Sequence, residues 1–316
     1  MSLSRIDRRT LIGAMGASLA LGATARAQGS ALAFLALGDW GQQGGATQRQ
    51  VAAAMGATAL DHASRFVVSA GDNFYPAGVT STADAQWRLS FEDVYTAPAL
   101  QIPWFSALGN HDYRGDVQAQ IDYSRLSDRW RMPNRYFKVE GAAFGAGFVD
   151  LFVIDTSPMV DGRNYDEWLQ QLARGRHPSH ESARQLAWLD QALTNSTAAW
   201  KIVVGHHPVY SGGHGDSPHL VERLAPMLEA RGVQLYVNGH DHSLQHIRRG
   251  AVDYVCTGSG AEANDGLRSV QGTRYAASMP GFAAFRLTPD ALAFEFRDQS
   301  GLIVYQADRR LGRDQG

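Results

Sequence analysis

Short apolar runs rich in β-branched and aromatic residues recur along the chain, at 31–37, 65–70, 104–108, 148–154, 200–204, 233–237 and 251–256. Each is five to seven residues long and most stop at Gly, Asn or Asp. That is the pattern of strands buried on both faces. Between them the apolar spacing lengthens to three or four. Residues 51–62 follow Thr47-Gln48-Arg49-Gln50, which reads as a capping box. Residues 85–95 space Trp87, Phe91 and Val94 as on one helix face, and 181–193 do the same with Leu186, Leu189 and Leu193. Asp216 or Ser217 can cap a further helix with Pro218 in its first turn, running to Arg231 before Gly232. Beyond residue 281 the style changes. The runs 282–287, 291–297 and 302–306 are separated by Thr288-Pro289-Asp290 and Gln299-Ser300-Gly301, which predicts an antiparallel meander. Alternating strands and helices predict an α/β fold, whose ligands gather at the carboxyl ends of strands.

Composition narrows the class. The chain has 316 residues, 44% hydrophobic and 19% charged, enough to bury a large core without covalent staples. A net charge of −2 gives no electrostatic case for nucleic acid. With one cysteine, Cys256 in an apolar run, neither an intrachain disulfide nor a cysteine-based zinc site can form. At the N-terminus, Asp7-Arg8-Arg9-Thr10-Leu11-Ile12 is a twin-arginine pattern. A small-residue apolar run, 11–25, and Ala25-Arg26-Ala27 follow it, the latter a small-x-small cleavage site before Gln28. Residues 1–27 are thus expected to be a twin-arginine export signal, whose removal leaves a single domain, 28–316, in the periplasm or outside the cell. No other segment approaches transmembrane length, so no membrane association is expected after cleavage.

Five predicted strand ends carry metal-type residues. They are Gly38-Asp39-Trp40-Gly41, Gly71-Asp72-Asn73-Phe74-Tyr75, Gly109-Asn110-His111-Asp112, Gly205-His206-His207-Pro208 and Gly239-His240-Asp241-His242. The glycine before each group is expected to let the backbone turn sharply as it leaves the sheet. Aspartate and phenolate are hard anionic donors suited to a trivalent ion, whereas imidazole and amide suit a divalent one. A hydroxide between two ions can attack phosphorus in line while the ions neutralise the phosphoryl oxygens.

The five groups, with 71–79 (GDNFYPAGV), 109–130 and 233–244, resemble the purple acid phosphatases within the calcineurin-like metallophosphoesterases, in particular the small single-domain tartrate-resistant kind. The similarity extends over residues 31 to 310. It implies a four-layer α/β/β/α sandwich of two mixed β-sheets flanked by helices. It also implies that Asp39, Asp72, Tyr75 and His242 bind Fe(III), and that Asp72, Asn110, His206 and His240 bind a divalent ion (Fe, Zn or Mn), Asp72 being shared. His111 is expected to bind substrate phosphate and protonate the leaving group, with His214 the second candidate acid. His207 is expected to point away from the centre, and Asp112 and Asp241 to orient the ligands. Small phosphomonoester substrates and a monomeric chain follow from the same resemblance. Related phosphodiesterases carry Asp-x-His in the first group; here Gly41 stands where that histidine would be. A phosphodiesterase, and an iron-binding protein with little catalysis, are the other readings. The segment 157–180 corresponds to a loop that restrains the mammalian enzymes; its different, charged sequence here reads as a surface loop.

Overall fold

The computed structural model describes residues 31–160 and 178–312. The expected leader and residues 161–177 of the charged segment lie outside them. Among these residues fourteen strands form two seven-stranded sheets. In the first, β1 (Leu32–Leu37), β2 (Val67–Ser69), β3 (Trp104–Ser106) and β4 (Trp130–Arg131) lie parallel side by side. The meander β12 (Gly281–Leu287), β13 (Ala291–Asp298) and β14 (Ile303–Arg310) extends that sheet antiparallel from β1. In the second, β6 (Val149–Val153), β7 (Trp200–Val204), β8 (Leu235–Asn238) and β10 (Val252–Thr257) are parallel. Antiparallel β5 (Phe137–Glu140) closes one edge, and β9 (Leu244–Arg249) with β11 (Thr273–Ala277) the other.

Strand periodicity explains the layering. Leu151 and Val153, Ile202 and Val204, and Leu235 and Val237 belong to the large core between the sheets, with Leu35, Leu37 and Phe282 from the other side. Their alternates Phe152, Val203 and Tyr236 belong to a second core. There they meet Leu186, Leu189 and Leu193 of helix α3 (Pro178–Asn195) and Leu228 of helix α4 (Ala225–Ala230). A strand that buries both faces must be apolar throughout, which is why these runs show no polar alternation. Helix α1 (Ala46–His62) covers the outer face of the first sheet through Val51, Met55 and Ala59, packing on β1 and β12. A short helix α2 (Val117–Tyr123), capped by the Asp116 side chain, follows β3. The result is the predicted four-layer sandwich.

Local details differ from expectation. Helix α1 starts at Ala46, so Thr47 lies inside it; Gln48 Oε1 instead accepts the Gly44 N–H at 2.8 Å. The 85–95 stretch makes a π-helical turn, Trp87–Glu92, and a second such turn, Leu220–Leu224, leads into α4. Beneath the β1–β3 loops lies a floor of fully buried aromatics: Trp40, Phe74, Phe91, Tyr95, Trp104 and Trp130. Trp40 meets Tyr95 edge-on at 5.4 Å and donates to Ser69 Oγ at 2.7 Å. Each such ring contributes roughly 2–3 kcal/mol by burial, and together they pack beneath the loop that carries Asp39. Among the described residues no helix is long and apolar enough to cross a membrane.

Candidate metal centre

Three groups of predicted donors leave the carboxyl ends of β1, β2 and β3, and two leave those of β7 and β8. Because these are neighbouring parallel strands in facing sheets, all five loops emerge on one side. The structure brings all seven predicted donors together there. Tyr75 Oη lies 2.9 Å from Asp39 Oδ1, 2.9 Å from Asp72 Oδ2 and 3.1 Å from His242 Nε2, and His242 Nε2 is 3.4 Å from Asp39 Oδ1. Beside this quartet, Asn110 Oδ1 is 3.1 Å from His206 Nε2 and 3.0 Å from His240 Nδ1. The two imidazole nitrogens are 3.2 Å apart, and His206 Nε2 is 3.4 Å from Asp72 Oδ2. Asp72 Oδ2 therefore belongs to both clusters.

Donors held about 2.1 Å from one ion at right angles lie about 3 Å apart, so each cluster has the spacing of a coordination edge. The other atom of several donors is already engaged. Asp39 Oδ2 accepts the His240 N–H at 2.9 Å and Asp72 Oδ1 that of His111 at 2.7 Å. His206 Nδ1 lies 2.9 Å from Ala70 O, and His242 Nδ1 3.0 Å from Glu262 Oε1. The His206 ring is thus held with Nε2 toward the centre, while Glu262 stands by His242 as a charge neighbour only.

The electrostatics ask for a cation. Asp39 and Asp72 are buried, and Arg114 is the one Lys or Arg among the described residues lining the cleft. Burial would raise the Asp72 carboxyl, but His206 beside it, with His111 and His240, holds it far below the usual carboxylate range. Burial would lower His206, yet Asp72 and Asp39 carry it up to about 10. Burial and the same two carboxylates push the Tyr75 phenol well above its ordinary value. Crowded anions here recruit protons; a metal ion held by these side chains would supply the positive charge instead and favour the ionised phenol. The donor set fits a hard trivalent ion on the Asp39–Tyr75–His242 side and a divalent one on the Asn110–His206–His240 side.

The backbone is strained at three of the donors. Asp39, Asp72 and His240 have φ of 58°, 50° and 69°, left-handed values rare outside glycine and costly for a side chain. The sharp turning expected of the preceding glycines thus falls largely on the ligands themselves. Glycine is required for close approach: a Cβ at Gly109 would meet the Asp72 carboxylate, and one at Gly239 the Asp39 carboxylate. Gly41 is equally constrained, since a Cβ there would collide with the Asn73 carbonyl. No histidine fits at 41 without moving that backbone, and Tyr75 reaches the centre in its stead.

The remaining predicted residues line a cleft of about 400 Å³ over the donors. His111 stands at its edge, Nδ1 2.8 Å from Pro76 O and 3.0 Å from Arg114 Nη1. His214 Nδ1 is 2.6 Å from Asp241 Oδ1, a contact that raises the imidazole above its usual value. Asp241 also accepts the His214 N–H and a 2.7 Å bond from Gln245 Nε2. It positions His214, not a predicted ligand. Asp112 accepts from Asn73 N, Asn73 Nδ2, Gly109 N and Gln120 Nε2, tying the second and third loops together rather than touching a donor side chain. Burial, then the neighbouring Asp72, pushes its carboxyl up to about 7. His207 does not point away: it lines the cleft with its ring 4.5 Å from that of His240.

Sequence reasoning missed Glu262, Thr156 and Arg114. Thr156 follows β6 in Asp155-Thr156, a strand end without the glycine that marked the other five groups. Glu262 sits in a loop with no motif.

Two facing mixed sheets with this donor set at their carboxyl ends define the metallophosphoesterase class. Residues 32–244 match the family described as Calcineurin-like phosphoesterase, and the chain belongs to it, among the purple acid phosphatases. It is 39% identical over 287 residues to Purple acid phosphatase 3 of Arabidopsis thaliana, covering 87% of this chain and 76% of that one. It is 33% identical to the Homo sapiens Tartrate-resistant acid phosphatase type 5, covering 92% of each. Among solved structures it superimposes on a Plasmodium protein described as GAP50, the anchor in the inner membrane complex, with a TM-score of 0.76 at 25% identity over 89% of each chain. It also superimposes on a yellow lupin purple acid phosphatase, with a TM-score of 0.63 at 14% identity over 90% of this chain and 54% of that one.

Proposed function

We propose that the chain is an acid phosphatase hydrolysing phosphate monoesters at a pair of ions, Fe(III) and a divalent ion (Fe, Zn or Mn). The observation that carries this reading is the position of Tyr75, whose oxygen lies within 3.1 Å of two carboxylates and an imidazole. Asp39, Tyr75 and His242 would hold the trivalent ion, Asn110, His206 and His240 the divalent one, and Asp72 both. When bound, such ions supply Lewis acidity, making a nucleophile of water and neutralising phosphoryl oxygens. His111, beside Arg114 at the cleft edge, hydrogen-bonds the substrate phosphoryl group. His214, held through Nδ1 by Asp241, is placed to hand a proton to the leaving oxygen, a contribution of about 10²–10⁴ in rate. A fold shared with a protein described as an anchor does not itself imply catalysis. The two histidines over the donors favour it, since mere iron storage needs no proton donor.

Two measurements test the reading. Purified protein should show a visible tyrosinate-to-iron band that vanishes in Tyr75→Phe. It should also hydrolyse p-nitrophenyl phosphate faster than bis-p-nitrophenyl phosphate. A colourless, fully metallated protein, or a preference for the diester, would sink it. We further propose that residues 1–27 are removed on export, on the strength of the Asp7–Ile12 and Ala25–Ala27 patterns. N-terminal sequencing of the exported protein should begin at Gln28; material beginning at Met1 outside the cytoplasm rules the cleavage out.

A further inference from the structure

His207 follows a predicted ligand, and hydrogen-bond accounting at one hydroxyl gives it a task of its own. Thr156 Oγ1 accepts the backbone N–H of His206 at 3.2 Å and that of His207 at 2.9 Å. A hydroxyl has two lone pairs and one hydrogen, so these two donors fill its accepting capacity. Its hydrogen is left for His207 Nδ1, 2.9 Å away. Nδ1 is therefore an acceptor, the ring is neutral, and the ring proton sits on Nε2. That N–H is buried and meets no acceptor among the described residues. A buried donor without a partner costs free energy that an incoming acceptor would recover. The same ring forms a wall of the cleft together with Pro208, His214 and Ser217. The ring thus lines the cleft while its Nδ1 is committed to Thr156.

An ion is the other possible occupant, because ring nitrogens of His206, His207 and His240 lie within 4.8 Å of one another. Coordination needs an unprotonated nitrogen. With Nδ1 engaged by Thr156 and Nε2 carrying the proton, His207 has no lone pair to offer. The vacant donor calls for an oxygen acceptor, and the anion-binding face of the centre is where one arrives.

We infer that His207 Nε2–H is a substrate-binding donor, hydrogen-bonding an oxygen of the tetrahedral phosphoryl group on the His206–His240 side of the cleft. Thr156 is the residue that sets its tautomer. The inference rests on the phosphatase reading and adds a positioned donor to it. Being neutral, the ring grips the phosphoryl oxygen in ground state and transition state alike, so its loss should appear in KM more than in kcat.

The test measures orthophosphate binding by calorimetry, KM and kcat for p-nitrophenyl phosphate, and ion content, all on the fully metallated enzyme. In His207→Phe, phosphate affinity should fall and KM rise by about ten- to a hundredfold, the worth of one hydrogen bond to a charged group. The kcat should change less than threefold or so and ion content not at all. His207→Gln, which restores an N–H, should recover most of the affinity. Thr156→Val, which frees Nδ1 to take the proton, should reproduce the binding defect with His207 in place, while Thr156→Ser should not. Phosphate affinity within twofold of wild type in His207→Phe overturns the inference, as does loss of an ion from that variant, which would make His207 a ligand. If His207→Phe does not fold, Thr156→Val decides, and unchanged phosphate affinity there is equally fatal. Wild-type protein that neither hydrolyses the monoester nor binds phosphate defeats the phosphatase reading itself, a separate result from an active wild type matched by its variants.

Discussion

The loops leaving β1, β2 and β3 and those leaving β7 and β8 meet at one point but are held by different means. The first group brings oxygen: Asp39, Asp72, Tyr75 and Asn110. Beneath it lies a buried polar lattice in which Asp112 gathers N–H groups from Asn73, Gly109 and Gln120, and Asn73 Nδ2 also donates to Ala107 O at 2.8 Å. The second group brings imidazole, and its rings lean on single neighbours: Ala70 O beside His206, Asp241 beside His214, and the Glu262 carboxylate 3.0 Å from His242. Repulsion explains the contrast. Two buried carboxylates within reach of one phenol would spread apart unless the backbone beneath them were braced, whereas a neutral imidazole needs only a tautomer and a direction.

The largest effect should come from the atom common to both clusters. Asp72→Ala should lower p-nitrophenyl phosphate hydrolysis by about 10⁴-fold or more, the scale of losing a whole catalytic unit. Elemental analysis should find fewer than two ions per chain. Full activity would mean that the oxygen side is not the anchor described. Stripping the ions with a chelator comes next. At a thousand times Kd they stabilise the fold by about 4 kcal/mol, so Tm should fall by roughly 8–16 °C; an unchanged Tm would show that the donors bind nothing tightly.

Asp112→Ala separates bracing from binding. It leaves several N–H donors without an acceptor, a loss of about 3 kcal/mol, read as a lower denaturant midpoint in the ion-free protein. A neutral result would put the rigidity of the oxygen side elsewhere, in the aromatic floor. On the imidazole side, His214→Ala should cut kcat about a hundredfold with both ions retained. A loss of ions instead would show that the histidine side depends on its neighbours as the oxygen side does.

Much of this was legible in the sequence, for physical reasons that also mark where reading stops. Strands buried on both faces are unbroken apolar runs, so β1, β6, β7, β8 and β10 stood out. Five donor groups each followed such a run. Strand β9 escaped because its buried positions include Gln245 and His246, made tolerable by partners distant in sequence; His246 lies 3.0 Å from Asp253 and 2.9 Å from Tyr305. Strand β4 is two residues long and β11 is a half-exposed edge, so neither carries a period. The role of Glu262 rests on tertiary proximity alone. His207 could not be placed either, because its direction is decided by Thr156, fifty-one positions earlier in the chain.

The left-handed backbone at Asp39, Asp72 and His240 has an evolutionary corollary. That conformation is most comfortably occupied by glycine or asparagine, and for an aspartate codon either is one base change away. Every generation therefore offers substitutions at 39 and 72 that relax the chain by about 1 kcal/mol each while destroying its ability to hold ions. A lineage relieved of the chemistry would slide down that slope and emerge as a sturdier, inert copy.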